Sequence, residues 1–399
     1  MKAVFMGLGY IGLPTAAIAA DKGIQVVGVD INSQVVDIIN SGEVHIIEPK
    51  LDVIIKRVIA NKYFKASLKP EVADTFLIVV PTPFQQNHRP DISHVVSATR
   101  SIIPFLKEGD LYIIESTSPV GTTEKMADLM WKERPDLKGK IFIAYCPERV
   151  LPGNVIYELE HNDRVIGGIN KESTEKAIDF YKLFVKGNLH PTDSRTAEMC
   201  KLTENSSRDV QIAFANELSI ICGKAGINIW KLIELANKHP RVNILQPGCG
   251  VGGHCIAVDP WFIVSDFTEQ AQMIKQARET NDYKADWCAN NILDACRRFE
   301  DTTGKVPIVA CMGLAFKPDI DDLRESPAKY IASRIIAEAR ADVLIVEPNI
   351  INHKSFHLVD YQEAYEKADI VAWLVRHKPF LTIVKQDNKV ELDFCGVRK

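Results

Sequence analysis

The sequence has no run of about eighteen consecutive apolar residues, which excludes a membrane-spanning helix. It has no excess of one charge either. Across 399 residues, 48 Lys+Arg stand against 52 Asp+Glu, a formal charge of −4. Nucleic-acid and membrane-surface binders usually present a basic face, so neither partner is expected. A paired-cysteine framework is also missing: the nine Cys are odd in number and scattered, which points to a reducing cytoplasm rather than to secretion. There is no repeat of solenoid period, no low-complexity segment and no long charge run. What remains is a chain with 46% apolar positions, long enough at about 100–200 residues per domain for two or three cores.

Met1, Lys2 and the stretch from Ala3 to Ala20 superficially resemble a signal peptide. Gly7, Gly9, Gly12 and Pro14 interrupt it, and cleavage would remove what reads as a first strand. Short β-branched runs follow at Ala3–Met6, Gln25–Val29, Phe76–Val80, Leu111–Glu115, Ile141–Ala144 and Arg164–Gly167, with helical stretches between them. Continuous apolar strands alternating with helices predict a parallel sheet covered on both faces. After Thr192-Asp193-Ser194, which suits a helix N-cap, a helical pattern runs to about Ala225 and is closed by Gly226. At 1.5 Å per residue this spine would be about 45 Å long. A second α/β block begins near Val306, with strands expected at Ile308–Met312, Val343–Val346 and Ile370–Leu374. The fold class expected is therefore α/β: a Rossmann-type domain over 1–193, a central helical domain over 194–296 and a second Rossmann-like domain over 297–399.

Gly7-Leu8-Gly9-Tyr10-Ile11-Gly12 follows the first strand and opens a helix. Gly7 permits the tight turn, Gly9 lets the backbone approach a pyrophosphate, and Gly12 lets the helix sit close to the sheet. Asp30 ends the next strand, eighteen residues after Gly12, near the separation of the acid that binds a ribose diol. Because Asp30 would repel a 2′-phosphate and Ile31-Asn32-Ser33 offers no cation, NAD is expected over NADP.

Two further features carry chemistry. In Gly250-Val251-Gly252-Gly253-His254-Cys255 a thiol directly follows what reads as a flexible glycine loop, and Asp259 comes four residues later. Such a loop admits a large substrate, and its N–H groups can hold an oxyanion; a turn beside a buried Cys is the plainer alternative. Neither a Cys255–His254 dyad nor a zinc site from Cys249, His254 and Cys255 is expected, because chain neighbours seldom face each other and paired ligand spacing is missing. Lys201 and Asn205 lie four apart on the spine helix, hence on one face, where a cation and an amide could share a substrate oxygen. A hydride acceptor together with a thiol suggests alcohol oxidation to an aldehyde, capture as a thiohemiacetal, a second oxidation and hydrolysis of the thioester.

At this point the chain resembles the UDP-glucose/GDP-mannose dehydrogenase family, and within it the mannosamine-type branch. The likeness rests on Gly7–Gly12, Val80-Pro81-Thr82-Pro83, Glu115-Ser116-Thr117-Ser118-Pro119-Val120-Gly121, Cys146-Pro147-Glu148-Arg149-Val150-Leu151-Pro152-Gly153, Gly250–Cys255, and Phe316-Lys317-Pro318-Asp319 through Arg324-Glu325-Ser326-Pro327. It implies an NAD-dependent four-electron oxidation of UDP-N-acetyl-D-mannosamine to its uronate for bacterial surface polysaccharide, by a homodimer, with no metal. Cys255 matches the nucleophile, Lys201 and Asn205 the oxyanion pair, and Glu148 and Asp259 carboxylates that manage the hydrolytic water. Thr117 falls near both nicotinamide and that water. Gly7, Gly9, Tyr10, Ile11, Gly12, Asp30 and Thr82 match cofactor contacts, as does Arg324, acting across a subunit boundary. Arg149, Val150, Lys201, Asn205, Arg208, His239, Arg241, Gly252, Phe316 and Lys317 match nucleotide-sugar contacts, with Arg241 reaching the partner's site.

Three departures stand out. Pro152 occupies the place where UDP-glucose enzymes carry a second Glu, which fits the mannosamine type. Cys249 replaces a usual Pro and leaves a thiol six residues from Cys255, able to pair with it under oxidation. In Asp393-Phe394-Cys395-Gly396, Cys395 replaces a cation, for which Arg398 or Lys399 would have to substitute. The alternatives are UDP-glucose, UDP-N-acetylglucosamine or GDP-mannose as substrate, a single-oxidation hydroxy-acid dehydrogenase, and a non-catalytic NAD-sensing scaffold.

Overall fold

The computed structural model describes residues 1–85, 88–150 and 153–399. The reading of Pro152 lies outside them. The chain divides into two compact units, 1–204 and 205–399.

The first unit is built on one eight-stranded sheet. In chain order its strands are β1 (Lys2–Met6), β2 (Gln25–Val29), β3 (Phe64–Ser67), β4 (Thr75–Ile78), β5 (Leu111–Ile114), β6 (Phe142–Tyr145), β7 (Arg164–Gly168) and β8 (Leu189–Asp193). Their spatial order is β3-β2-β1-β4-β5-β6-β7-β8. The first six strands run parallel in the doubly wound order, with helices α1 (Gly12–Asp21), α2 (Ser33–Asn40), α3 (Leu51–Ala60), α4 (Ser93–Ile102) and α5 (Thr122–Glu133) between them. Every residue of β4 and β5 is buried, as strands covered on both faces must be. One expectation needs correcting. The sheet is not wholly parallel: β7 pairs antiparallel with β6, through Ala144 opposite Gly168 and Tyr145 opposite Gly167. An apolar run has no direction, and the short α6 (Val155–His161) between these strands returns the chain the other way. Helix α7 (Lys171–Tyr181) then leads into β8, which lies parallel to β7.

The spine is the 32-residue helix α8 (Ser194–Ala225), and both expected ends hold. Asp193 caps its start, accepting from the Thr196 amide at 2.9 Å and the Thr196 hydroxyl at 2.7 Å. Gly226 follows its end at φ +68°, the left-handed conformation that stops a helix. The second unit continues with α9 (Ile229–Ala236), α10 (Asp259–Asp266) and α11 (Gln272–Thr303), the last a 32-residue helix absent from the sequence reading. Strands β9 (Ile308–Met312), β10 (Asp342–Val346), β11 (Ile370–Trp373) and β12 (Val390–Asp393) form a parallel sheet in the order β10-β9-β11-β12. It is packed by α12 (Pro327–Glu338) and α13 (Tyr361–Lys367). Among the described residues no helix is long and apolar enough to cross a membrane.

A buried polar seam joins α8 to α11. Arg278 pairs with Asp209 at 2.6 Å, Asn281 donates to the Asp209 carboxylate at 2.8 Å, and Asn216 donates to Asn281 at 2.8 Å. The free side-chain oxygen of Asn216 accepts the Gly248 amide at 2.9 Å, so the seam tethers the loop that enters the glycine segment.

Within the first unit, Glu198 on α8 is fully buried. It accepts the amides of Gly121 and Thr123 at 2.5 and 2.7 Å and the Thr123 hydroxyl at 2.6 Å. These are the orphan donors at the start of α5, capped here from another helix. Glu198→Ala would leave them buried and unpaired, and should lower the unfolding free energy by about 3 kcal/mol in chemical denaturation. Glu198→Gln, which keeps one acceptor, should lose less.

Candidate active site

The first βα turn has the geometry a dinucleotide needs. Gly7 sits at φ +101°, and a Cβ there would fall 2.3 Å from the Val79 carbonyl oxygen. At Gly12 a Cβ would fall 2.0 Å from the Gly7 carbonyl oxygen. Both positions therefore require glycine. Gly9 is different: nothing lies within 4 Å of its missing side chain, which leaves an open approach to the backbone at the start of α1. Tyr10 is exposed and Ile11 half-buried beside it. Asp30 follows β2 and holds the turn itself, with Oδ2 accepting the Leu8 amide at 3.1 Å and Oδ1 the Asn32 amide at 2.9 Å. Thr82 and Thr117, both half-buried, follow β4 and β5. Ser116 laces those two loops together, accepting from the Val80 amide at 2.9 Å and donating to the Val80 carbonyl at 2.7 Å. These residues fit NAD.

Glu148 follows β6, and its side chain is 11% exposed. Lys201 Nζ donates to the Glu148 backbone carbonyl at 2.7 Å, bringing two of the expected residues together. Glu148 Oε1 accepts the Arg149 amide at 2.5 Å. Arg149 is engaged within the unit, with Nη2 2.8 Å from Glu204 and Nη1 donating to the Asp163 carbonyl at 3.2 Å. Val150 is half-buried beside it.

What lies behind Glu148 has no local signature in the sequence. Arg164, at the start of β7, is buried and places Nη2 3.6 Å from Glu148 Oε2 and Nη1 3.8 Å from Glu115 Oε1. Tyr181 donates to Glu115 Oε1 at 2.5 Å, and its ring lies 4.9 Å from the Arg164 guanidinium. Burial pushes the Glu115 carboxyl up to about 7, against the opposing pull of Arg164. No signal short of the β6–β7 register would have revealed this cluster.

In the second unit two of the expected groups, Asn205 and Asp259, meet at the start of α10, one turn after Cys255. Asn205 Nδ2 donates to Asp259 Oδ2 at 2.5 Å, and the Asp259 amide donates to the Cys255 carbonyl at 2.8 Å as α10 begins. Cys255 is the exposed thiol among nine free cysteines. The glycine segment is not the flexible loop expected from sequence. A Cβ on Gly250 would fall 2.8 Å from the Asn281 carbonyl oxygen, one on Gly252 2.5 Å from the Glu325 carbonyl oxygen, and one on Gly253 2.9 Å from the Phe316 ring. The Gly253 amide donates to the Arg324 carbonyl at 3.0 Å. The segment is thus close-packed against Phe316 and the 324–327 turn. The Arg324 side chain pairs with Asp322 at 2.6 Å, and Lys317 is exposed next to Phe316. Arg208 is exposed one turn beyond Asn205. His239 and Arg241 are exposed after α9, where His239 Nδ1 accepts the Arg241 amide at 3.3 Å. None of these three is brought to Cys255 by a contact resolved among the described residues.

Two further expectations meet the structure. Cys249 is buried with its thiol donating to the Leu374 carbonyl at 3.3 Å. Contact with Cys288 and burial push that thiol well up. A Cys249–Cys255 bond would require Cys249 to leave the core. Arg398 is committed to Glu391 at 2.6 Å and to the Ile383 carbonyl at 2.6 Å, so it does not substitute for the cation missing at Cys395. Lys399 donates to Gln246 at 3.2 Å.

The chain matches three family models: the NAD binding domain of the UDP-glucose/GDP-mannose dehydrogenase family over residues 1–185, its central domain over 195–283 and its UDP binding domain over 310–397. It is 54% identical to the UDP-N-acetyl-D-mannosamine dehydrogenase of Campylobacter jejuni, over 99% of both chains. It is 50% identical to an NDP-N-acetyl-D-galactosaminuronic acid dehydrogenase of Ralstonia nicotianae, over 98% of this chain and 95% of that one. Among solved structures, a UDP-D-ManNAc dehydrogenase from Pyrococcus horikoshii superposes with a TM-score of 0.89 at 37% identity, covering 100% of this chain and 96% of the other. The chain belongs to the UDP-glucose/GDP-mannose dehydrogenase family.

Proposed function

We propose that this chain oxidises the C6 hydroxyl of UDP-N-acetyl-D-mannosamine to the carboxylate in two hydride transfers, through a thiohemiacetal and a thioester on Cys255. The observation that carries the reading is the exposed Cys255 thiol at the end of a close-packed glycine segment, with Asp259 and Asn205 hydrogen-bonded beside it. The identity with relatives named for mannosamine nucleotides supports the choice of sugar.

NAD, when bound, takes the hydride at each oxidation. The chain's own residues do the rest. The glycine turn and Asp30 hold the dinucleotide, with Tyr10, Ile11, Thr82 and Thr117 lining its approach. Lys201 and Asn205 stabilise the substrate oxygen as it gains negative charge, first as alkoxide and then in the thiohemiacetal. Cys255 adds to the aldehyde carbon and leaves again as the thioester is hydrolysed. Glu148 and Asp259 manage the hydrolytic water, Glu148 as the base. Arg149, Val150, Arg208, His239, Arg241, Gly252, Phe316 and Lys317 bind the nucleotide sugar, where planar guanidinium groups suit a diphosphate. The net reaction converts one alcohol, two NAD⁺ and one water into one carboxylate, two NADH and three protons.

The same reading assigns domains over 1–193, 194–296 and 297–399, a cytoplasmic enzyme of surface-polysaccharide synthesis, and a homodimer in which Arg241 and Arg324 act across the interface. Exposed Phe214 and Ile221, two turns apart on α8, support such an interface.

A panel of UDP-N-acetyl-D-mannosamine, its galactosamine counterpart, UDP-glucose, UDP-N-acetylglucosamine and GDP-mannose tests the substrate. The mannosamine nucleotide should give near two NADH per molecule consumed. One NADH per molecule, with Cys255→Ala unimpaired, would leave a single-oxidation dehydrogenase. Cys255→Ser should bind substrate and NAD as the native enzyme does, yet lose about three orders of magnitude or more in acid production. Asp30→Ser should narrow the preference for NAD over NADP, seen as a rise in kcat/KM for NADP.

A further inference from the structure

The register of the first sheet brings a buried cation to the back of Glu148. Strands β6 and β7 pair antiparallel through Ala144–Gly168 and Tyr145–Gly167. Continuing that register past β6 sets Glu148 opposite Arg164, and the two side chains lie 3.6 Å apart. The neighbouring strand β5 ends at Ile114, opposite Tyr145, so Glu115 comes alongside Cys146 on the other side of the same guanidinium. Arg164, Glu115, Tyr181 and Cys146 are all buried. One cation is therefore shared between two carboxylates, at 3.6 Å and 3.8 Å, with a buried oxygen on each, Glu148 Oε2 and Glu115 Oε2, that finds no hydrogen bond among the described residues.

The remaining groups around the cluster are few. Arg164 also donates to the Leu159 carbonyl at 3.4 Å and approaches the Cys146 sulfur at 3.9 Å. Arg164 and Glu148 share a small cavity with Arg149, Glu158 and Asp163. Lys201 meets Glu148 through the backbone carbonyl. None of these supplies a second buried counter-ion.

We propose that Arg164 is the positioning residue for Glu148, and that Glu115, held by Tyr181, is its alternate partner, so that the cluster absorbs the change of charge when Glu148 takes a proton from the hydrolytic water. This rests on the role given to Glu148 above. In that step the water oxygen bonds to the thioester carbonyl carbon, its proton passes to Glu148, and the C–S bond breaks with Cys255 leaving as thiolate. Nothing is oxidised or reduced. As Glu148 becomes neutral, Arg164 loses an anionic partner on that side and keeps Glu115, 3.8 Å away, on the other. When Glu148 is ionised again, a second charge at Glu115 is opposed. Burial puts the Glu115 carboxyl at about 7, where it can serve in both states near neutral pH.

The two neighbours differ in kind: Arg164 holds a fixed positive charge behind the Glu148 carboxyl, and Glu115 competes for the same guanidinium. The experiment loads Cys255 in a single turnover with UDP-N-acetyl-D-mannosamine and NAD and follows decay of the acyl-enzyme by rapid quench and intact mass, from acidic to alkaline pH. Arg164→Met should move the acid limb of that profile up by about one pH unit or more, a roughly tenfold loss of hydrolysis on the limb. Glu115→Gln, neutral as the Glu115 carboxyl is on the acid side of about 7, should leave Arg164 to Glu148 and not move the limb up. Arg164→Lys, which restores the charge, should return the limb toward its native position; if Arg164→Met does not fold, this variant and Glu115→Gln carry the test.

A limb that stays in place in Arg164→Met, or that moves up alike in Arg164→Met and Glu115→Gln, overturns the proposal, because simple loss of packing predicts no such difference between the two variants. Glu148→Gln is measured alongside. If it hydrolyses the acyl-enzyme at the native rate, the role of Glu148 falls and the proposal with it. If it stalls while the two limbs do not separate, the function stands and the relay alone is overturned.

Discussion

A parallel strand delivers its last residue to the same edge of the sheet as its neighbours, and the chemistry of the first unit depends on that constraint. Gly7, Asp30, Thr82, Thr117 and Glu148 come just after β1, β2, β4, β5 and β6, and so gather along one edge although they are far apart in the chain. Had β7 continued the pattern, its last residues would have joined them. Because β7 is reversed, its first residue arrives instead, and that residue is Arg164. The single reversal in the sheet is what puts a buried guanidinium at an edge otherwise built of glycines, threonines and carboxylates.

The molecule holds a second buried arginine, and the contrast between them is informative. Arg278 lies 2.6 Å from Asp209, whose carboxylate also accepts from Asn281. Such a tight, hydrogen-bonded pair offsets much of the cost of desolvating both charges and fixes two helices against each other. Arg164 is instead shared at ion-pair rather than hydrogen-bond distance between two acids, with a tyrosine ring against it. Loose sharing stabilises less, but it lets either acid take the larger part of the interaction. The first arrangement suits a scaffold, the second a site whose charge must change during a reaction.

What could be read from the sequence was local. The glycine turn, Asp30 and both ends of α8 each depend on residues within a few positions, so their signals survive without tertiary context. Strands on an edge fared worse. In β3 burial alternates along Phe64–Ser67, and β8 contains Pro191 and is largely exposed, which an edge tolerates but a propensity reading passes over. Helix α11 is laced with charge, and its buried residues include Arg278, Asn281 and Lys284, so its inner face does not look apolar. The Arg164 cluster was illegible for a deeper reason. Its members belong to four elements, and their meeting depends on the direction and register of β7, which no local pattern encodes.

The glycine segment before Cys255 shows how the right residues can suggest the wrong physics. Three glycines in four positions read as freedom, yet at each one a side chain would strike backbone or a packed ring within 3 Å. Their service is close approach: the segment lies flat against Phe316 and the 324–327 turn, and Asn216 ties down its entry. The result is selectivity among thiols. Burial pushes Cys146 and Cys311 up to about 12 and Cys296 to about 11, far from the thiolate form that attacks a carbonyl. Cys255 alone is carried to the surface, by a support whose glycines leave no room for a side chain between it and what it packs on. A nucleophile that must add to one carbon and then release it gains from such a mount, since its position is set by packing before substrate arrives rather than by ordering a loop when it binds.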